Sequence, residues 1–143
     1  MGLSARLMTF ILISEVGPRD GLQSISRTMP VEAKKAWVKA EAKAGVREIE
    51  VGSFVPPRVI PQLADTQEVV ARALEIPGLA VQALVPNLRG AQNAYNTGAH
   101  RISFPVSVSE GHSRANLNRT PAESSAEARR MMDWGKAQER RMP

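Results

Sequence analysis

An α/β fold with a parallel sheet follows from three observations. Four short apolar runs, each suited to a strand, alternate with four segments of helical spacing. The strand-helix-strand connections recur every 20–40 residues or roughly so, and such crossovers pair strands in parallel. The third observation is a carboxylate, Glu50, set between Ile49 and Val51. Neighbouring strand residues point to opposite faces, so Ile49 and Val51 turn toward covering helices and Glu50 toward the interior of a barrel. A closed (β/α) TIM-type barrel takes eight units and about 250 residues. A chain of 143 residues supplies about four units, a half-barrel.

The first strand is expected over residues 9–16, with Phe10-Ile11-Leu12-Ile13 as a buried run. Glycine and proline then force a turn in Ser14-Glu15-Val16-Gly17-Pro18-Arg19-Asp20-Gly21-Leu22-Gln23. An acid beside a guanidinium, between glycines just past a buried strand, suits a metal ligand and an anion stabiliser. The same residues also read as a tight turn with a surface Arg-Asp pair. Pro30 opens a helix, where its missing N–H costs nothing. Ala33, Ala36, Trp37, Ala40 and Ala44 share a face of it at helical spacing, with Trp37 as core packing, and Gly45 terminates it.

The second strand is expected over residues 46–52. Glu50 then lies near its C-terminal end, the active-site end of such barrels. A structural carboxylate paired with an interior arginine, such as Arg19, is the alternative. After a proline-rich loop over residues 53–61, Asp65 and Glu68 form a capping arrangement. Val69, Val70, Ala73 and Leu74 give that helix its buried side. Pro77-Gly78 turns into a third strand over residues 79–85. Asn87 caps the third helix, which ends near Thr97 at Gly98.

The fourth strand is expected over residues 101–108, distorted at Pro105, which cannot donate to a central ladder. Residues 109–119 read as a polar loop carrying Glu110, His112, Ser113, Arg114 and Asn116. Thr120-Pro121-Ala122-Glu123 is a capping box for a helix to about Trp134. The expected organisation is a half-barrel over residues 1–134 and a charged tail over residues 135–143. His100 falls before a strand, away from the active end, and His112 reads as a solvated loop histidine.

Composition narrows the function classes. The net charge is +5, but the basic residues are scattered among only three Phe, two Trp and one Tyr. That pattern does not build a stacking platform for single-stranded nucleic acid. No apolar run approaches the roughly 20 residues of a membrane span, and residues 1–6 lack a secretory pattern, so a cytoplasmic location is expected. Without cysteine, disulfides and thiolate ligands are excluded.

Val16-Gly17-Pro18-Arg19-Asp20-Gly21-Leu22-Gln23 resembles the first-strand signature of the 3-hydroxy-3-methylglutaryl-CoA lyases, metal-dependent TIM barrels. The resemblance continues through Ile49-Glu50-Val51-Gly52-Ser53-Phe54-Val55, Val59-Ile60-Pro61-Gln62-Leu63-Ala64-Asp65, Val85-Pro86-Asn87-Leu88-Arg89-Gly90 and residues 109–116. It covers residues 9–132 or thereabouts and matches the N-terminal half of that barrel. The related isopropylmalate and homocitrate synthases usually carry Leu-Arg-Asp-Gly-Glu-Gln here; Gly17-Pro18 and Leu22 favour the lyase branch.

The resemblance implies cleavage of 3-hydroxy-3-methylglutaryl-CoA to acetyl-CoA and acetoacetate, a step of leucine degradation. It implies Asp20 as a ligand of Mg²⁺ or Mn²⁺, Arg19 as enolate stabiliser, Gln23 and Asn87 near substrate, and Glu50 as a carboxylate positioning Arg19 or the metal's water shell. Asn87 also has a sufficient structural role as a cap. The family's remaining ligands, a His-x-His and an Asn, and its catalytic Cys have no counterpart here. A half-barrel leaves its first and fourth strands as unpaired edges, so a homo-oligomer, or a partner completing the barrel, is expected. Two alternatives stand: a non-catalytic half-barrel or assembly module, and a Claisen-type acyltransferase.

Overall fold

The structure, a computed structural model, describes residues 11–138. Its centre is a four-stranded parallel sheet in the order β1-β2-β3-β4: β1 Ser14–Glu15, β2 Glu48–Ser53, β3 Ala80–Leu84 and β4 Arg101–Ser103. Helices α1 Val31–Lys43, α2 Thr66–Ala73, α3 Leu88–Thr97, α4 Glu110–Leu117 and α5 Pro121–Ala137 fill the connections. A π-helical turn, Gly17–Gly21, follows β1, and a 3₁₀ turn, Pro61–Leu63, precedes α2. This is the expected α/β arrangement of parallel βα units.

Alternation along the strands sorts their side chains as predicted at Glu50. Ile49, Val51, Val81 and Ala83 face the helices and pack with Val38 of α1 and Val69, Val70 and Ala73 of α2. A second cluster joins Val85, Ala91, Ala94 and Met131 of α5. Glu48, Glu50, Gln82, Arg101 and Ser103 occupy the opposite, concave face. Register shifts between Glu50 and Gly52, where β2 meets α2 closely. A Cβ on Gly52 would lie 2.4 Å from Thr66 Oγ1, so no larger residue fits without displacement.

Several expectations are corrected. The first strand shrinks to two residues, and Ile11, Leu12 and Ile13 are exposed rather than buried; Thr9 and Phe10 lie outside the described residues. The sheet edge at β1 has no covering element there among the described residues. The fourth strand ends two residues before Pro105. A bulge is unnecessary, because the ladder stops before the missing donor matters.

The alanine face of α1 is not its buried face: Ala33, Ala36, Ala40 and Ala44 are exposed, while Lys34 and Val38 are buried. Trp37 is half-buried and packs over Gly17, where a Cβ would come within 2.9 Å of its ring. Lys34 is drawn in because its ammonium bonds the Asp65 carboxylate at 2.6 Å and the Gln62 carbonyl at 2.5 Å.

That same pair diverts Asp65 from the capping role assigned to it. Asp65 occupies the N-cap position but makes no side-chain cap, and Glu68 bonds Lys35 instead. A buried ammonium demands a charged partner more strongly than a helix N–H demands a cap. Residues 109–119 are not a loop. They form α4, capped by Ser109 on His112 N and closed by Asn118 in the left-handed region, φ 51°. The helix was hard to read because nearly all of it is exposed and polar, leaving no apolar period.

Other end signals act as read. Asn87 accepts from Gly90 N, Thr120 and Glu123 form a reciprocal capping box, and Gly45, Gly78 and Gly98 adopt positive φ where the chain turns. The last helix extends three residues beyond Trp134, with Gly135 buried in it.

Candidate active site

The loop after a parallel strand emerges at the C-terminal end of the sheet. The turn Gly17–Gly21 therefore places Arg19 and Asp20 at the end where barrels of this type keep their chemistry. Two features set the turn. Pro18 is buried in its first turn, and Glu15 accepts Gly17 N at 2.7 Å. The turn lies against β2 and carries Arg19 over the concave face.

Arg19 then meets Glu50. Its Nε donates to Glu50 Oε2 at 2.5 Å, and its Nη1 donates to Asp20 Oδ1 at 2.7 Å. The Glu50 side chain is 1% exposed, that of Arg19 16% and that of Asp20 58%. The guanidinium is thus anchored by a buried carboxylate on one side and lies beside a solvent-facing carboxylate on the other. Fixing its plane in this way removes most of the rotamer freedom that an arginine otherwise keeps.

Glu50 is itself held from two further strands. Gln82 Nε2 of β3 donates to Oε1 at 3.3 Å, and Ser103 Oγ of β4 donates to the same oxygen. Below this, Glu48 receives Arg101 across the width of β3. The sequence reading missed Ser103, Gln82 and the Glu48–Arg101 pair. Their signal was present: once Glu50 is placed inward, Glu48 shares its face two residues away, and register picks out Gln82, Arg101 and Ser103 on the other strands.

The remaining candidates are placed differently. Gln23 is exposed just beyond the turn. Asn87 uses its side-chain oxygen as the α3 cap, 2.9 Å from Gly90 N, and lines a cleft of about 380 Å³ between the starts of α2 and α3. His112 stands on α4 with its ring between Ser107 Oγ, 2.7 Å from Nδ1, and Asn116 Nδ2, 3.0 Å from Nε2. His100 Nδ1 accepts Val81 N at 3.0 Å, a role in the sheet.

As a metal centre the described residues are incomplete. Asp20 has an exposed carboxylate with one oxygen engaged by Arg19, but among the described residues no three His, Cys, Asp or Glu side chains converge. A six-coordinate divalent ion needs more donors than Asp20, whether protein or water. Asp20 fits as one ligand; the set does not close within residues 11–138.

Comparison with known proteins bears on the family and the fold. A family model described as HMGL-like matches residues 11–142. The hydroxymethylglutaryl-CoA lyase YngG of Bacillus subtilis is 40% identical over 114 residues, 80% of this chain and 38% of the relative. A crystal structure of the Bacillus subtilis HMG-CoA lyase superposes with a TM-score of 0.84 at 35% identity, over 90% of this chain and 43% of that one. An HMG-CoA lyase from Acinetobacter baumannii, in complex with coenzyme A and 3-methylmalate, gives 0.83 at 32% identity, over 88% and 41%. The chain spans between 26% and 38% of the first three curated relatives it matches.

Proposed function

Because the chain belongs to the HMGL-like family, we propose that it supplies the Arg19–Asp20–Glu50 part of a carbon–carbon lyase site acting on 3-hydroxy-3-methylglutaryl-CoA. The observation that carries this reading is the Arg19 guanidinium, held in place by buried Glu50 and lying beside exposed Asp20 at the C-terminal end of the sheet. A positioned cation at that place suits a reaction that develops negative charge on a thioester oxygen.

The reaction is a retro-Claisen cleavage. A base takes the proton of the tertiary hydroxyl, the carbon–carbon bond breaks, and the former carbinol carbon becomes the ketone of acetoacetate. The bonding pair moves into the enolate of acetyl-CoA, which is then protonated at carbon. In this scheme Arg19 donates to the enolate oxygen, and Glu50 fixes the guanidinium plane. Gln23 and Asn87 are assigned to orient substrate, Gln23 from the exposed rim and Asn87 through the atoms its cap leaves free.

Asp20 would contribute one ligand to Mg²⁺ or Mn²⁺, which when bound lowers the pKa of a coordinated hydroxyl. The other donors would come from outside the described residues. A partner segment would complete the barrel, and the reaction would serve leucine breakdown.

The test is acetoacetate formation from the CoA thioester with Mg²⁺ or Mn²⁺ present. Arg19→Ala should lower kcat with little change in metal affinity, and Asp20→Ala should lower both. Full activity of Arg19→Ala in an active assembly would remove the assignment. Condensation of acetyl-CoA with a 2-keto acid would instead indicate the acyltransferase reading. The second reading is an assembly module without activity of its own, which the edges of β1 and β4, unpaired among the described residues, would suit.

A further inference from the structure

We propose that Ser103 is a positioning residue for Arg19. By holding Oε1 of Glu50, it keeps the guanidinium from closing side-on against that carboxylate and so leaves Nη2 for an oxygen of the substrate. What Nη2 meets rests on the reading above; the geometry from Ser103 through Glu50 to Arg19 does not.

Arginine–carboxylate pairs are frequently bidentate, with two parallel N–H···O bonds that use both carboxylate oxygens. Arg19 and Glu50 make a single bond, Nε to Oε2 at 2.5 Å. The other oxygen is already taken. The Ser103 hydroxyl donates to Oε1, and the Gln82 amide donates to the same atom at 3.3 Å. That amide distance is long for an N–H···O bond, so the hydroxyl is the firmer hold. With Oε1 engaged toward β4, the carboxylate plane is fixed and offers the guanidinium one oxygen. Nη1 goes to Asp20, and Nη2 has no partner among the described residues.

The second interior guanidinium is withheld from Glu50. In register Arg101 stands level with Gln82, itself level with Glu50, yet it bonds Glu48. Ser103, level with Leu84, reaches back across β3 to Glu50. Interior positions of such barrels are mostly filled by bulky branched side chains. A serine fills little volume there and contributes a hydrogen bond instead. All of these contacts join β2, β3, β4 and the turn after β1, so they do not depend on what lies beyond the edges of the sheet.

Without the hydroxyl, Oε1 keeps only the long Gln82 bond. The guanidinium then gains by turning until Nε and Nη2 face both oxygens, because a charge-assisted hydrogen bond outweighs a neutral one. Nη2 is thereby withdrawn into the ion pair.

Side-chain nuclear magnetic resonance of the arginine-labelled chain tests this, with the Arg19 signals identified by their loss in Arg19→Lys. In wild type the two Nη groups should exchange by rapid rotation about the Nε–Cζ bond and give one averaged signal. Ser103→Ala should slow that rotation roughly tenfold, as one added charge-assisted hydrogen bond implies, and separate the signals. Ser103→Thr keeps the hydroxyl and should match wild type. Ser103→Val has the shape of threonine without the hydroxyl and should match Ser103→Ala. Wild-type rotation in the alanine or valine variant, or slowed rotation in the threonine variant, would overturn the proposal. Where wild type forms acetoacetate, Ser103→Ala should lower kcat by roughly 10–100-fold at little-changed KM, as misplacing a charge-stabilising donor does, and Ser103→Thr should restore it. A wild-type kcat in a variant with slowed rotation would remove the positioning role. Slowed rotation in a chain whose wild type forms no acetoacetate would support the geometry and count against the lyase reading.

Discussion

Arg19 and Glu50, separated by 31 positions in the chain, are joined by a 2.5 Å hydrogen bond from Nε to Oε2 across the end of the sheet. The carboxylate is buried and the guanidinium nearly so. Taking two such charges from water is costly, and their attraction offsets that only when geometry is good and the remaining lone pairs are used. Gln82 and Ser103 supply those extra bonds.

Removing one partner should therefore hurt more than removing both. Glu50→Ala is expected to cost about 3 kcal/mol, because it strands a largely buried guanidinium. Glu50→Gln should recover only part, since its amide oxygen can still accept from Arg19 but the charge that matches the guanidinium is gone. The pair Arg19→Met with Glu50→Gln should show a coupling of about 1–3 kcal/mol in a double-mutant cycle. Urea midpoints at unchanged slope measure it.

Lys34 gives a second case of the same physics. Its ammonium lies on Asp65 and the Gln62 carbonyl, and Gln62 Nε2 in turn donates to Ile25 O in the loop after the π-helical turn. Lys34→Ala should cost about 3 kcal/mol, and Lys34→Met less, since methionine refills the volume and leaves only the partly exposed Asp65 to be solvated. Faster proteolysis within residues 23–29 in both variants would report the loosened loop.

Gly52→Ala should destabilise by about 1–3 kcal/mol through overpacking against Thr66. Thr66→Ser in the same chain should recover only a small part of that, because it removes the Cγ2 contact at 2.8 Å while the closer hydroxyl, which accepts Ser53 N and donates to Leu63 O, stays. Equal stability of Gly52→Ala and wild type in thermal unfolding would contradict the contact.

Two carboxylates should give opposite pH responses. The Thr120 backbone N–H bonded to Glu123 holds its carboxyl below the ordinary 4.5. Its stabilisation is present above that value and is lost as pH falls through the lowered folded one; Glu123→Gln should remove this acid sensitivity. Burial raises Glu41, the Trp37 bond opposes the rise, and Glu15 adds to it. The ionised form is then disfavoured in the fold. Glu41→Gln should stabilise the fold near neutral pH, with the gain fading as pH falls through the raised folded value and gone below 4.5. Unfolding midpoints across a pH series separate the two.

The alternation of strand and helix was legible because it depends on local periodicity and on end residues. Asn87, Gly98, Thr120 and Glu123 act on backbone groups within a few residues, and each does what its sequence position implies. Glu50 was legible for a similar reason: strand geometry alone turns it away from Ile49 and Val51. Helix α4 was missed because a polar, exposed helix offers no period.

By itself, then, the sequence determined the four βα units, the Asn87 and Thr120 caps and the inward direction of Glu50, all consequences of backbone geometry over short spans. Tertiary structure alone decided that Lys34 rather than the alanine stripe is buried, that Asp65 serves an ammonium rather than a helix end, and that Ser103 and Gln82 hold Glu50. Each of these depends on which distant group arrives alongside and on the cost of leaving a charge or donor unmatched there, and no local pattern records that.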